Sequence, residues 1–334
     1  MTEDERYMAR CLQLARHGEF TTAPNPMVGA VIVHRGRIIG EGWHRQYGGP
    51  HAEVNAVRSV RPEDEALLPE STIYVSLEPC SHWGKTPPCA ELLVEKGFRR
   101  VVVGCLDPNE KVAGRGICRL REAGAEVVVG VLEKDCWWLN RKFMTFHTKG
   151  RPYITLKWAQ SADGFIDRRR SSRADGEPVH FSTPWTQTLV HRLRATHEAI
   201  LVGRRTWELD RPSLTTRLWP GRNAKKLVMK KGNPTDPPLT ADPSPALPQR
   251  EGVVTFVNWG EGAGLDASFL SSKGGVEFQS VLVEGGAQTL QFFLDSDLWD
   301  EVFVERTEIV LGDGVRAPEL KTDPKGRPVH VNFA

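Results

Sequence analysis

Two stretches in which strand and helix patterns alternate, separated by one short polar segment, constrain the fold of this chain more than any other feature. From Val28 to Val131, short β-rich runs alternate with stretches whose apolar residues recur at helical spacing. From Tyr153 to Leu294 the alternation starts again. Strands that take turns with helices build layered α/β sheets. At 334 residues the chain is too long for one ordinary core, and two domains of roughly 150 residues each are expected. The segment Thr148-Lys149-Gly150-Arg151-Pro152 is the natural boundary, placing domains at 1–147 and 150–334.

The first half opens with Thr2-Glu3-Asp4-Glu5, which has the form of a capping box, followed by Tyr7, Met8, Cys11 and Leu12 at helical spacing. Strands are predicted over 28–34, 37–44, 72–77, 100–105 and 126–131, and helices over 51–60, 88–96, 116–123 and 133–143. In the second half the strands are 153–159, 199–202, 226–229, 253–257 and 280–284. The helices there are 184–194, with Thr183 as N-cap, and 287–294. Pro234, Pro237, Pro238, Pro243, Pro245 and Pro248 mark an exposed loop, because the strand pattern resumes beyond them.

Lys and Arg number 44 against 42 Asp and Glu, a net charge of +2. That balance gives no broad electrostatic footprint for nucleic acid or anionic membrane. No apolar run reaches the roughly 18–20 residues of a membrane span, and the start MTEDERYMAR has no apolar signal core. Six cysteines in so long a chain point to a reducing, cytoplasmic setting and to metal or catalytic use.

The chemistry concentrates around His51-Ala52-Glu53 and Pro79-Cys80 … Cys89. One imidazole and two thiolates are three good zinc ligands, which leaves a fourth tetrahedral position for water. Glu53, two residues past the histidine, is placed to carry protons without ligating. The pattern resembles that of the zinc-dependent nucleobase deaminases, although eight residues separate these cysteines where the general signature has two. The alternative is a closed structural site with His82 as fourth ligand. Cys11, Cys105, Cys118 and Cys136 read as small core residues.

The spacing is explained by a closer resemblance. The run Ser76-Leu77-Glu78-Pro79-Cys80-Ser81-His82-Trp83-Gly84-Lys85-Thr86-Pro87-Pro88-Cys89 resembles the bifunctional riboflavin-biosynthesis deaminase/reductase family. So do Pro24-Asn25-Pro26-Met27-Val28-Gly29, Gly49-Pro50-His51-Ala52-Glu53, Asp107-Pro108-Asn109 and Val112-Ala113-Gly114-Arg115-Gly116, in the same order. The resemblance implies a cytidine-deaminase-like three-layer domain in which His51, Cys80 and Cys89 bind Zn²⁺ and Glu53 is the proton shuttle. It also implies that Asn25, His82, Lys85 and Asn109 surround a phosphorylated ribosylaminopyrimidine. An exposed polar loop is the plainer reading of His82 and Lys85, and a simple turn that of Asn25.

Taken by itself, the second half is quieter. Val283-Glu284-Gly285-Gly286-Ala287 is a strand, a glycine turn and a helix start, a common phosphate cradle and an equally common plain turn. There is no G-x-G-x-x-G run, which disfavours a Rossmann domain. Leu156–Gly164, Leu201–Thr206, Leu209–Arg217 and Val283–Gly286 resemble the reductase half of the same family. That implies a dihydrofolate-reductase-like α/β domain using NADPH. Gln160, His180, Thr206, Asp210, Lys231 and Gly286 would then contact NADPH. Arg194, Leu214, Arg217 and Glu284 would contact substrate, with Lys157 as the catalytic cation near its ribose. The chain departs from the family at His180, where a Trp is expected, at Arg211, and at Lys230-Lys231. The run Arg168-Arg169-Arg170 with Arg173 reads first as a solvated loop and second as phosphate-facing.

The resulting expectation is a cytoplasmic homo-oligomeric enzyme that deaminates a small phosphorylated pyrimidine and then reduces its ribosyl side chain. Three alternatives stand beside it: a deaminase with a degenerate reductase domain, a nucleic-acid base deaminase, and a non-catalytic zinc protein. A nucleic-acid deaminase needs a basic, aromatic-lined surface that the charge balance does not offer.

Overall fold

The structure is a computed structural model that describes residues 1–81, 83, 87–109, 113–231, 254–259 and 278–333, with backbone alone at 230–231 and 254–259. The chain divides into two compact units, Met1–Gly150 and Arg151–Ala334.

The first unit begins with α1 (Glu3–Ala15), and its capping box closes in both directions. The Thr2 hydroxyl accepts the Glu5 N–H at 3.2 Å, and the Glu5 carboxylate accepts the Thr2 N–H at 2.8 Å. Then follow β1 (Gly29–His34), β2 (Arg37–Trp43), α2 (Ala52–Arg58), β3 (Thr72–Leu77), α3 (Cys89–Glu95), β4 (Arg100–Cys105), α4 (Arg115–Glu122) and β5 (Glu126–Val129). The sheet order is β2-β1-β3-β4-β5. β1 runs antiparallel to both its neighbours, and β3, β4 and β5 are parallel. Alternate strand residues face opposite helical layers. Ala30, Ile32, Val101 and Val103 pack with Ala52, Ala56, Leu93 and Leu120. Val31, Val33 and Val102 pack with Met8, Cys11 and Leu14 of α1. Each fully buried aliphatic side chain contributes about 1.5–3 kcal/mol relative to exposure.

The unit ends differently from the expected single helix. Two helices, α5 (Glu133–Leu139) and α6 (Arg141–Lys149), meet at Asn140. The Asn140 amide pairs with the backbone of Met27 through both its oxygen and its nitrogen, each at 2.8 Å. That tertiary bond outcompetes helix continuation. Thr148 and Lys149 accordingly belong to the last helical turn, and Gly150 closes it in the left-handed region. Of the cysteines expected in the core, Cys11, Cys105 and Cys136 are buried, but Cys118 is exposed on α4.

In the second unit, β6 (Tyr153–Gln160), β7 (Phe165–Asp167), α7 (Pro184–Ala195), β8 (Ala199–Gly203), α8 (Arg204–Asp210), β9 (Lys225–Lys231) and β10 (Val254–Trp259) come first. They are followed by β11 (Ser280–Glu284), α9 (Ala287–Asp295), β12 (Glu301–Arg306), β13 (Val315–Arg316) and β14 (Val329–Val331). The seven-stranded sheet has the order β10-β9-β8-β11-β6-β12-β14 and is parallel throughout. β13 and β7 pair separately as an antiparallel two-stranded sheet. Strands covered on both faces read as near-continuous apolar runs. Ile200 to Val202 and Val281 to Val283 are accordingly buried at every residue. The expected proline-rich loop at 234–252 lies outside the described residues. No helix among the described residues is long and apolar enough to cross a membrane.

Candidate functional site

In the first unit, three chain segments deliver the residues singled out by motif. His51 is the N-cap of α2, which puts Glu53 in the first helical turn. The turn after β3 carries Cys80, and Cys89 opens α3. The ligating atoms of His51, Cys80 and Cys89 lie within 4.8 Å of one another. The Nδ1 of His51 is 3.6 Å from the Cys80 sulfur and 3.3 Å from the Cys89 sulfur. A tetrahedral zinc with Zn–S of about 2.3 Å and Zn–N of about 2.0 Å has an S···N edge of about 3.5 Å, so the donor set and its spacing fit that ion.

The three groups also hold one another's protons. Hydrogen bonding between the two sulfurs pulls the Cys80 thiol down and pushes the Cys89 thiol up. The backbone N–H of Cys89 donates to the Cys80 sulfur at 3.3 Å, which also favours the thiolate. The bond to Cys80 raises His51 to about 9, against the effect of burial. Proton and metal compete for the same three atoms, because thiolate and neutral imidazole are the ligating forms. Glu53 is 3% exposed, and burial raises its carboxyl to about 7. A carboxyl tuned that close to neutrality can both take and give a proton.

Asn25 is fixed by a residue with no obvious sequence signal. His44, itself buried, bonds the Pro50 carbonyl through Nδ1 at 3.0 Å and the Asn25 side-chain nitrogen through Nε2 at 3.1 Å. A carbonyl only accepts, so Nδ1 carries the proton and Nε2 accepts from Asn25. The Asn25 amide therefore turns its nitrogen towards His44. Asn109 is held by its N–H donating to Asp107 Oδ1 at 2.8 Å. His82 and Lys85 lie outside the described residues, as does the question of His82 as a fourth ligand.

In the second unit a cleft of about 1250 Å³ is lined by Lys157, His180, Arg194, Thr206, Asp210, Leu214, Arg217, Glu284 and Gly286. Nine residues assigned to this half by sequence thus share one cavity. Gln160 is not in its wall, and its side-chain oxygen accepts the Trp158 indole N–H at 2.8 Å. Lys231 ends β9, and its side chain is outside the description. Arg194 and Glu284 grip each other through two bonds of 2.8 and 2.6 Å. Burial pushes Glu284 up, but Arg194 and Lys157 more than offset it and hold the group low. Burial lowers Lys157, partly compensated by Glu284 and Glu305.

The wall of the cleft around Gly286 is built from backbone. Gly286 has φ +75, and a Cβ there would sit 3.1 Å from Thr206 Oγ1. Beyond it, α9 starts with no side-chain cap. Its first-turn amides point at the glycine turn, an arrangement that suits a ligand phosphate. Arg211 and Leu214, at φ 43 and 49, hold left-handed backbone after α8, which costs non-glycine residues about 1–2 kcal/mol each.

One reading of the basic run needs correction. Arg168 and Arg169 are exposed, but Arg170 is buried. Its Nη2 lies 2.5 Å from both Asp167 and Asp210, and its carbonyl accepts from Arg205. Arg170 thus joins the end of β7 to α8, and occupies a carboxylate that the sequence reading gives to the cofactor.

Residues 1–105 match the cytidine and deoxycytidylate deaminase zinc-binding region, and residues 152–257 match the RibD C-terminal domain. The riboflavin biosynthesis protein RibD of Aquifex aeolicus is 35% identical over 336 aligned residues, covering 95% of this chain and 90% of that protein. The chain belongs to the RibD family. It is a bifunctional riboflavin-biosynthesis enzyme, with a zinc-binding deaminase region ahead of a reductase domain. Escherichia coli RibD is 46% identical over 215 residues, which span 64% of this chain and 56% of that protein. Among solved RibD structures, a Thermotoga maritima diaminohydroxyphosphoribosylaminopyrimidine deaminase/5-amino-6-(5-phosphoribosylamino)uracil reductase superposes with a TM-score of 0.78. That match has 33% identity and covers 97% of this chain and 93% of the other. Acinetobacter baumannii RibD gives a TM-score of 0.77 at 32% identity, covering 96% and 91%.

Proposed function

We propose that the 1–147 domain hydrolytically deaminates 2,5-diamino-6-ribosylamino-4(3H)-pyrimidinone 5′-phosphate and that the 150–334 domain reduces the product's ribosyl group to ribityl with NADPH. The observation that carries the first step is the His51/Cys80/Cys89 cluster beside the buried carboxyl of Glu53. Zinc held by His51, Cys80 and Cys89 would supply the Lewis acidity that makes water a nucleophile near neutral pH. Glu53 takes the proton released as the nucleophile forms, holds it in a buried site, and delivers it to the departing amine. His44 keeps the Asn25 oxygen free to accept from the pyrimidine, and the Asp107 bond presents Asn109 to the ribose phosphate.

In the second step NADPH supplies the hydride. The glycine turn at Gly286 and the α9 amides seat its pyrophosphate, with Thr206 alongside. Lys157 stands near the ribose and stabilises the oxygen charge that develops as the ring opens. The Arg194–Glu284 pair, rigid through two bonds, orients the sugar hydroxyls. The protein works in the cytoplasm on a small phosphorylated substrate. The test is to give the zinc-loaded chain the diaminopyrimidine nucleotide, without and then with NADPH. Ammonia should be released in both cases, and absorbance at the nicotinamide band should fall only in the second. Release of ammonia with no oxidation of NADPH would reduce the protein to a one-step deaminase.

A further inference from the structure

We propose that Glu78 is a positioning residue of the deaminase site, capping α4 from a distant strand and so clamping the segment around Asn109 to the Cys80 turn. Glu78 is the residue after β3, two before the ligand Cys80, and is 4% exposed. Its N–H donates to the Cys105 carbonyl at 3.0 Å. Among the described residues its carboxylate meets no cation and accepts only backbone N–H groups. Oε2 takes Gly114 at 2.9 Å and Asp107 at 3.3 Å, and Oε1 takes Gly116 at 3.0 Å and Ile117 at 3.5 Å.

Gly114, Gly116 and Ile117 are the N-cap, second and third positions of α4, whose first-turn amides have no partner inside the helix. An N-cap side chain normally serves them, but Gly114 has none and no local side-chain cap is present. The distant carboxylate takes that role, and its charge suits the positive end of the helix. Asp107 is drawn in by the same oxygen, and it in turn holds Asn109. One side chain therefore ties Asp107, and through it Asn109, and the start of α4 to the turn that carries Cys80. Packing enforces the same approach. A Cβ on Gly116 would lie 2.1 Å from the Pro79 carbonyl oxygen, so only glycine lets α4 come that near.

This inference rests on the deaminase reading, and the experiment keeps their failures apart. In the zinc-loaded full chain, Glu78→Gln replaces one acceptor oxygen with a donor. The KM for the diaminopyrimidine nucleotide should rise about 10-fold or more while kcat changes less than about 3-fold, since ground-state positioning is lost and the proton carrier is not. Zinc content should stay at the wild-type level. Hydrogen exchange should accelerate at the Gly114, Gly116 and Ile117 amides and not along α2. Glu78→Asp, which keeps the charge but shortens its reach, should give the same KM and exchange pattern in weaker form, and it carries the test if Glu78→Gln does not fold. Unchanged KM in the folded variant overturns the role, as does a raised KM with unchanged exchange at these amides. Loss of zinc alongside the KM change makes Glu78 a support of the ligand cluster and also overturns it. A wild-type chain that releases no ammonia refutes the deaminase reading instead.

Discussion

The deaminase site and the reductase cleft solve opposite electrostatic problems. In the first, two sulfurs and an imidazole crowd within 4.8 Å and hydrogen-bond mainly one another. Such a donor set suits a single cation that all three atoms can share. In the second, the charged groups largely neutralise themselves. Arg194 holds Glu284, and Arg170 holds Asp167 and Asp210. The Lys157 side chain is left in the cleft with no hydrogen bond or ion pair among the described residues. The first site is therefore a concentrated device whose parts fail outright. The second is a distributed one whose parts should fail by degrees.

The largest effect expected is at the metal. Cys89→Ser should abolish both zinc binding and deamination, read by elemental analysis and ammonia release, while NADPH oxidation with pre-deaminated substrate continues. A variant that kept its zinc would erase the contrast between the two sites. Glu53→Gln comes next: zinc should stay, and deamination should fall by roughly 10²–10⁴-fold. Full activity in that variant would remove Glu53 from the mechanism. On the other side of the comparison, Lys157→Ala should lower reductase turnover by about 10²-fold with a smaller change in NADPH affinity. A loss confined to cofactor affinity would move Lys157 out of its catalytic role.

The smallest effect concerns acid. His191 in the cleft wall accepts the Leu218 N–H through Nδ1 at 3.3 Å, so its ring is neutral. Burial, with Arg194 and Arg217 nearby, lowers it to about 4. The unfolded chain, with a histidine pKa of about 6.5, binds the proton more readily. Stability is therefore complete above about pH 6.5 and falls as pH drops towards 4, by about 3 kcal/mol in total. Urea unfolding of wild type and His191→Gln at pH 7.5 and pH 5 should show a smaller loss in the variant. Equal losses would assign the acid sensitivity elsewhere.

The same contrast decided what the sequence could tell. A metal cluster needs few residues of rare type at helix starts and strand ends. His51, Glu53, Cys80 and Cys89 were therefore legible together, and the strands of the first unit with them. Glu78 stood inside the same motif but gave no sign of its task, because its partners are backbone amides, which every residue has. His44 was invisible for a similar reason, acting through Asn25 rather than on a ligand. In the second unit, α8 buries no residue and β13 spans two residues, too little for a period to show. The burial of Arg170 was hidden by its neighbours: three consecutive arginines look like a solvated face until one of them finds two carboxylates. Asn140 broke a helix whose local pattern was continuous, since its competing bond reaches back to Met27.

The strand order of the second unit has a consequence for synthesis. β6, among the first parts of that unit to leave the ribosome, pairs on one side with β11 and on the other with β12. Neither edge of this apolar strand can pair before β11 is complete at residue 284, and its second edge stays open until β12 is complete at residue 306. In the first unit β1 closes against β2 after a two-residue turn. Local pairing forms fast and distant parallel pairing slowly, and an unpaired edge invites association with other chains. The reductase half of the nascent chain thus keeps an apolar strand edge open for longer than the β1–β2 hairpin does.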